Sequence, residues 1–254
     1  MKQKTQKFGG AMFTPVLLFA FAGIMVGLAT TCMNPQIMGD LANPESIWYK
    51  FWAMISAGAN TVFNQLPVLF AVSLPIALAK KQNARACMET FVIYITFNYF
   101  VSEFLSQFGS SLGFDFAADV GGTSGLAMIA GIKTLDTGMI GAILIAGIAI
   151  YLHNKFYDKE LPDYLGVFKG SAFVVMIGFF VMIPVAILIA LVWPHVQSAL
   201  LGLQGFFKAS GAAGLFTYNL LQKLLLPFGV HHFIYAPVLF DNVIVDGGTI
   251  SYWA

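Results

Sequence analysis

From Gly170 to Trp193 the chain reads GSAFVVMIGFFVMIPVAILIALVW, a run without one charged side chain. About 20 apolar residues in a helix cross the hydrocarbon core of a bilayer, where every backbone polar group needs an internal partner. Such a run sets the class: an all-α integral membrane protein is expected. Composition agrees, with 58% hydrophobic and 10% charged residues and a mean hydropathy of +0.79. That balance leaves too little polar surface for a water-facing exterior. A net charge of +1 supplies no broad basic face, so no nucleic-acid partner is expected.

Four further stretches supply or approach a span: 9–30, 51–79, 86–102 and 138–154. With 170–193 they make about five transmembrane helices. The second is interrupted by NQLP at Asn64 to Pro67 and by Pro75. The basic start and apolar run of the first have the look of a signal peptide. The uncharged stretch from Phe8 to Gly39 is too long for that, no small-x-small site ends it, and more spans follow, so a retained span is expected.

Lysine and arginine set the expected orientation, because short cytoplasmic loops hold their excess. Lys2, Lys4 and Lys7 precede the first span; Lys80, Lys81 and Arg85 separate the second from the third; Lys155, Lys159 and Lys169 separate the fourth from the fifth. The intervening loops carry mainly acids: Asp40 and Glu45, then Glu103, Asp115 and Asp119. A cytoplasmic N-terminus follows. On this reading His153, beside Lys155, is solvated, and Trp193 anchors the outer interface with His195 after it. Cys32 and Cys87 form neither a disulfide framework nor a metal site. No G-x-x-x-x-G-K-[ST] loop, Ser-His-Asp constellation or zincin motif occurs, and no cofactor is expected.

Beyond Pro194 the apolar pattern is broken by Ser210, Gly211 and Gly214, then by Pro227, Gly229 and Pro237. Irregular backbone in lipid survives only inside protein or against a water-filled cavity, and short Gly/Pro-interrupted segments mark substrate sites in transporters. In LLLPFGVHHFIYAP the break from Pro227 to Gly229 precedes His231 and His232. Two readings stand. The histidines sit at an interface and are satisfied by water or backbone, or an imidazole enters a cavity and exchanges hydrogen bonds with hydroxyls, as suits a sugar. Adjacent histidines lack the helical i, i+4 spacing of a zinc site. Lys223 reads either as a snorkelling lysine or as a donor to hydroxyls. Lys133 and Asp136, at i, i+3, share a face on a helix and form either a self-paired hinge or a substrate contact. Gly122, Ser124, Gly125 and Gly131 around them permit close backbone approach.

Taken in order, QKFGGAMFTPVLLFAFAGIMVG, NQLPVLFAVSLPIALAKKQNARAC, TSGLAMIAGIKTLDT, LHNKFYDKELPDYLGVFKGSAFVV, PFGVHHFIY and the final YWA resemble the membrane (IIC) component of the phosphoenolpyruvate-dependent sugar phosphotransferase system. Within its glucose superfamily the resemblance is to the maltose and α-glucoside branch. It implies a permease of the bacterial cytoplasmic membrane that binds sugar outside and moves a binding half against a dimeric scaffold. Phosphorylation then comes from a phosphocysteine on a IIB domain, itself served by IIA, so this chain does no bond chemistry. It implies a scaffold over 1–209 and the start of a broken-helix, substrate-binding half over 210–254. His231 and Lys223 would hold sugar, and His232 would support the turn. Family members often carry an acid where this chain has Gln222, and their binding half continues past YWA to a glutamate-bearing hairpin. A truncated or fragmentary chain with little transport of its own is therefore expected. The alternatives are an ion-coupled carrier, with Lys133 and Asp136 as the coupling pair, and a non-transporting membrane interaction module.

Overall fold

The structure is a computed structural model that describes residues 2–112, 115–121, 124–210 and 212–225. Helix α1 (Lys2–Cys32) is followed by a short α2 (Pro35–Met38), then α3 (Ile47–Asn64), α4 (Leu66–Leu78) and α5 (Asn83–Phe108). Strands β1 (Leu126–Ile129) and β2 (Ile132–Leu135) precede α6 (Gly138–Phe156), α7 (Ser171–Ser210) and α8 (Ala212–Leu225).

Local chemistry sets the breaks. Asn34 caps α2 by accepting from the Gln36 amide at 2.8 Å, with Pro35 at its first position. Ser46 caps α3 through the Tyr49 amide at 3.0 Å, satisfying one of the donors that a helix start leaves free. Pro67 lacks an N–H and crowds the carbonyl four residues back, so the expected second span is two helices bent by 55° at Gln65. Proline does not end α7, which passes through Pro184 and Pro194 to Ser210, well past the expected limit at Trp193.

Helix α6 and residues Ser171–Gln197 of α7 are each long and apolar enough to cross a membrane. The bent pairs Leu17–Cys32 with Pro35–Ala42 and Ile47–Asn64 with Leu66–Leu78 raise the number to four among the described residues.

Helix α5 is the axis of the bundle. Its Ile93, Tyr94, Phe97, Val101 and Leu105 are buried in one cluster with Leu74 of α4, Leu135 of β2, Ala142, Ile145, Ala146 and Ala149 of α6, and Val174 and Met182 of α7. The small residues of α6 let the backbones approach, which is how helices associate in lipid. Gly178 of α7 does the same: a Cβ there would meet Ile93 Cδ1 and Cγ1 at 2.6 Å. The polar residues that weaken α5 as a span, Glu89, Thr90 and Asn98, are each 1% exposed or less. They face protein.

An all-α fold was expected, and the described residues are mostly helical; the exception is the antiparallel β1–β2 hairpin. Leu126 pairs with Leu135 and Ile129 with Ile132. The two-residue turn has Ala130 at φ 50 and Gly131 at φ 81, the left-handed pair of a type I′ hairpin turn. Leu126, Ile129, Ile132 and Leu135 are all buried. The hairpin is thus folded into the bundle.

Candidate functional site

The hairpin is fastened at both ends by glutamines from apolar helices. Gln65, at the break between α3 and α4, accepts from the Ala130 amide at the turn, 2.8 Å away. At the foot, the Gln197 side-chain amide donates to the carbonyls of Gly125 (3.1 Å) and Asp136 (3.0 Å). Gly125 has φ +70, and a Cβ there would meet Gln197 Oε1 at 2.9 Å, so the close approach requires glycine. Trp193 donates from Nε1 to the Asp136 carbonyl at 2.6 Å and is 6% exposed. The expected interfacial anchor is instead a buried clamp.

Lys133 and Asp136 do not sit on a helix and form no ion pair. Lys133 lies on β2 and Asp136 just beyond its end, and each charge finds its own partner. Lys133 donates to the Ala118 carbonyl at 2.6 Å, over the Phe116 ring. Asp136, in the junction before α6, accepts from the Gly138 amide at 3.1 Å. Burial pushes its carboxyl above the usual range, and the Gly138 N–H pulls partly back.

At the opposite end, the turn between α4 and α5 is fixed to the end of α6. The Lys80 amide donates to Asn154 Oδ1 at 2.8 Å, Lys81 pairs with Asp158 at 2.7 Å, and Arg85 donates to the Tyr157 hydroxyl at 2.8 Å. The hydrogen bond and charge of Asp158 hold the Lys81 ammonium above its ordinary range. His153 was expected to be solvated; it is buried, with Nδ1 2.6 Å from Glu89 Oε2 and Nε2 2.8 Å from the Lys81 carbonyl. Sequence reasoning missed Gln65, Glu89, His153 and Gln197 as a set. Their signal was present, since polar side chains inside apolar stretches are costly unless they have protein partners.

Of the residues expected to hold sugar, Lys223 lies in the last turn of α8 with its side chain exposed. Pro227, Gly229, His231 and His232 lie outside the described residues. Among the described residues no cluster of three or more His, Cys, Asp or Glu has the arrangement to hold a metal ion.

An apolar bundle with a fastened hairpin fits many transporters, and comparison with known proteins narrows the field. The family model "Phosphotransferase system, EIIC" matches residues 9–254. The chain belongs to that family. The match runs through Lys223, Pro227, Gly229, His231 and His232. The PTS system maltose-specific EIICB component of Bacillus subtilis (strain 168) is 55% identical over the whole chain, which spans 48% of that relative. The PTS system alpha-glucoside-specific EIICB component of Leptotrichia buccalis is 52% identical, again over the whole chain and 47% of the relative. The phosphotransferase IIC component GlvC of Escherichia coli (strain K12) is 49% identical, with 69% of it covered. The resemblance drawn from the sequence is borne out in family and in branch. This EIIC chain spans about half the length of the EIICB relatives it matches.

Proposed function

We propose that this chain is the sugar-binding and membrane-conducting part of a phosphotransferase system, taking an α-glucoside such as maltose for phosphorylation by a partner IIB domain. The observation that carries this reading is the 55% identity, over all 254 residues, with a maltose-specific EIICB component. IIB and IIA domains and a second copy of the chain are the partners, and the bacterial cytoplasmic membrane is the location.

On this reading the chain crosses the membrane five times, through α1, the α3–α4 pair, α5, α6 and α7. Helix α5 is counted as the third of these crossings because its polar side chains are shielded by neighbouring helices. Residues 1–209 form the dimeric scaffold and 210–254 begin the binding half. Lys223 and His231 donate to or accept from sugar hydroxyls, and His232, Pro227 and Gly229 shape the turn. Lys133 and Asp136 hold separate backbone groups, which removes the ion pair on which an ion-coupled carrier would rest.

The test is phosphoenolpyruvate-dependent phosphorylation of radiolabelled maltose by membranes that carry the protein expressed from its own locus. Loss of one sugar hydrogen bond costs about 1–3 kcal/mol, so His231→Ala is expected to weaken maltose binding roughly tenfold to a hundredfold. Unchanged affinity would remove His231 from the site. Uptake that persists without the soluble phosphotransfer proteins and collapses with the proton gradient would overturn the functional reading itself.

A further inference from the structure

Between the end of α6 at Phe156 and the start of α7 at Ser171 the chain forms a short 3-10 helix, Asp163–Phe168, with no buried residue. Three residues per turn put Tyr164 and Val167 one above the other on a single face. Tyr164 is 82% and Val167 91% exposed, the latter the highest value for a large apolar side chain among the described residues. Phe168 beside them is exposed as well. Such a patch is costly in water, and it lies outside the helices that are long and apolar enough to cross a membrane. Basic charge surrounds it. Lys155 stands in the last turn of α6, Lys159 and Lys169 in the connection itself. The contacts of the Lys80 amide with Asn154, Lys81 with Asp158 and Arg85 with Tyr157 bring the α4–α5 turn to the same place. These six basic side chains are all exposed, against three exposed acids, Asp158, Glu160 and Asp163.

We propose that Tyr164, Val167 and Phe168 form an interfacial foot, inserted at the headgroup level of an anionic bilayer, with Lys159 and Lys169 paired to lipid phosphates. The reach is sufficient. Residues Ser171–Gln197 of α7 number 27, a helix about 40 Å long, whereas the hydrocarbon core is about 30 Å thick. The ends of this stretch therefore enter the headgroup layer, and Val167 stands only four residues before its first residue. Gly170, at φ +71, makes the turn from the foot into α7. An amphipathic tyrosine ring suits that depth, valine and phenylalanine supply apolar area, and nearby lysines attract anionic lipid. The bilayer is the occupant because spans tether the patch on both sides and because the charge around it is basic. Ile47 at the start of α3 is 88% exposed too, but it stands beside Asp40 and Glu45, with Lys50 paired to Glu45 at 2.9 Å, and lacks that complement. This inference rests on the reading that α6 and α7 cross a membrane and is independent of the sugar.

Spin labels on the full chain in lipid nanodiscs test it, with Cys32 and Cys87 changed to serine. Collision rates are read with oxygen, which concentrates in lipid, and with a neutral nickel chelate, which stays in water. A label at Val167→Cys is expected to favour oxygen in discs that contain phosphatidylglycerol. One at Glu160→Cys is expected to favour the chelate, and one at Leu188→Cys, exposed on α7, to favour oxygen in every lipid. In phosphatidylcholine alone, or with Lys159→Gln and Lys169→Gln together, the Val167→Cys label is expected to shift roughly tenfold toward water. Embedding that ignores both the lipid charge and the lysines overturns the proposal, since a label driven in by its own apolarity behaves that way. Chelate access at Val167→Cys in every lipid overturns it as well, and is what a surface kept for a soluble partner protein would show. Shielding from both reagents marks a protein contact and does the same. Chelate access at Leu188→Cys would overturn the membrane crossing itself, and the foot with it.

Discussion

At the scale of single residues, the carboxyl of Asp136 carries a cost that pH can relieve. Burial raises its pKa in the folded protein, and the Gly138 amide offsets only part of the shift. An acid whose folded value exceeds its unfolded one binds the proton more tightly when folded. Its penalty is therefore absent in acid, grows as pH rises from the ordinary carboxylate value to the raised one, and is complete above it. Asp136→Asn keeps a side-chain oxygen for the Gly138 amide and removes the charge. Thermal unfolding in detergent is expected to show the variant more stable than wild type at neutral pH, with the gap closing in acid; a gap independent of pH would place the cost elsewhere. Asp136 and Lys133 also show where the sequence misled. Their i, i+3 spacing inside an apolar stretch implies a shared helical face, but Lys133 lies on β2 and Asp136 in the junction before α6, each with its own backbone partner. Glu89 and His153, 64 positions apart, have no local pattern that announces their pairing.

At the scale of elements, the contact between α5 and α7 depends on one missing side chain. A Cβ at Gly178 would lie 2.6 Å from two atoms of Ile93, in a core close-packed on all sides. Gly178→Ala is expected to cost about 1–3 kcal/mol through overpacking, read as a lowered Tm. Ile93→Ala, which removes both Cγ1 and Cδ1, should cost less in the Gly178→Ala background than in the wild type, a non-additivity that marks direct contact. Additive effects would mean the two helices do not meet there. Helices of this kind were legible because long uncharged runs admit no other structure in lipid, and NQLP correctly marked a break. The hairpin was not legible, because both strands are buried at both ends and show no clean alternation of buried and exposed positions. Its turn is Ala-Gly where Asn-Gly or Asp-Gly would have signalled it. The glutamine fastenings supply from distant helices what the turn sequence itself lacks.

For the whole molecule, the two polar fastenings sort the loops into ends. Asn154 meeting Lys80 puts the α4–α5 turn and the end of α6 together, as the alternation of basic loops implied. Gln197 meeting Gly125 and Asp136 puts the foot of the hairpin with the far part of α7. The loop before α3 follows α1, and the loop after α6 follows three further passages of the bundle, through the α3–α4 pair, α5 and α6. With the five crossings proposed above, the odd number of passages between them is expected to put Glu45 and Glu160 on opposite sides of a membrane. The lysines near Glu160 make that the expected cytoplasmic side. Both glutamates are exposed, so cysteines substituted there, in a background with Cys32 and Cys87 changed to serine, should react freely when facing water. A membrane-impermeant maleimide is expected to label Glu45→Cys on intact cells and Glu160→Cys only in inverted vesicles. The reverse pattern would invert the assigned orientation and with it the face on which a IIB domain meets this chain. Labelling of both from one side would overturn the odd number of crossings, and α5, whose polar face the bundle hides, would be the first passage to re-examine.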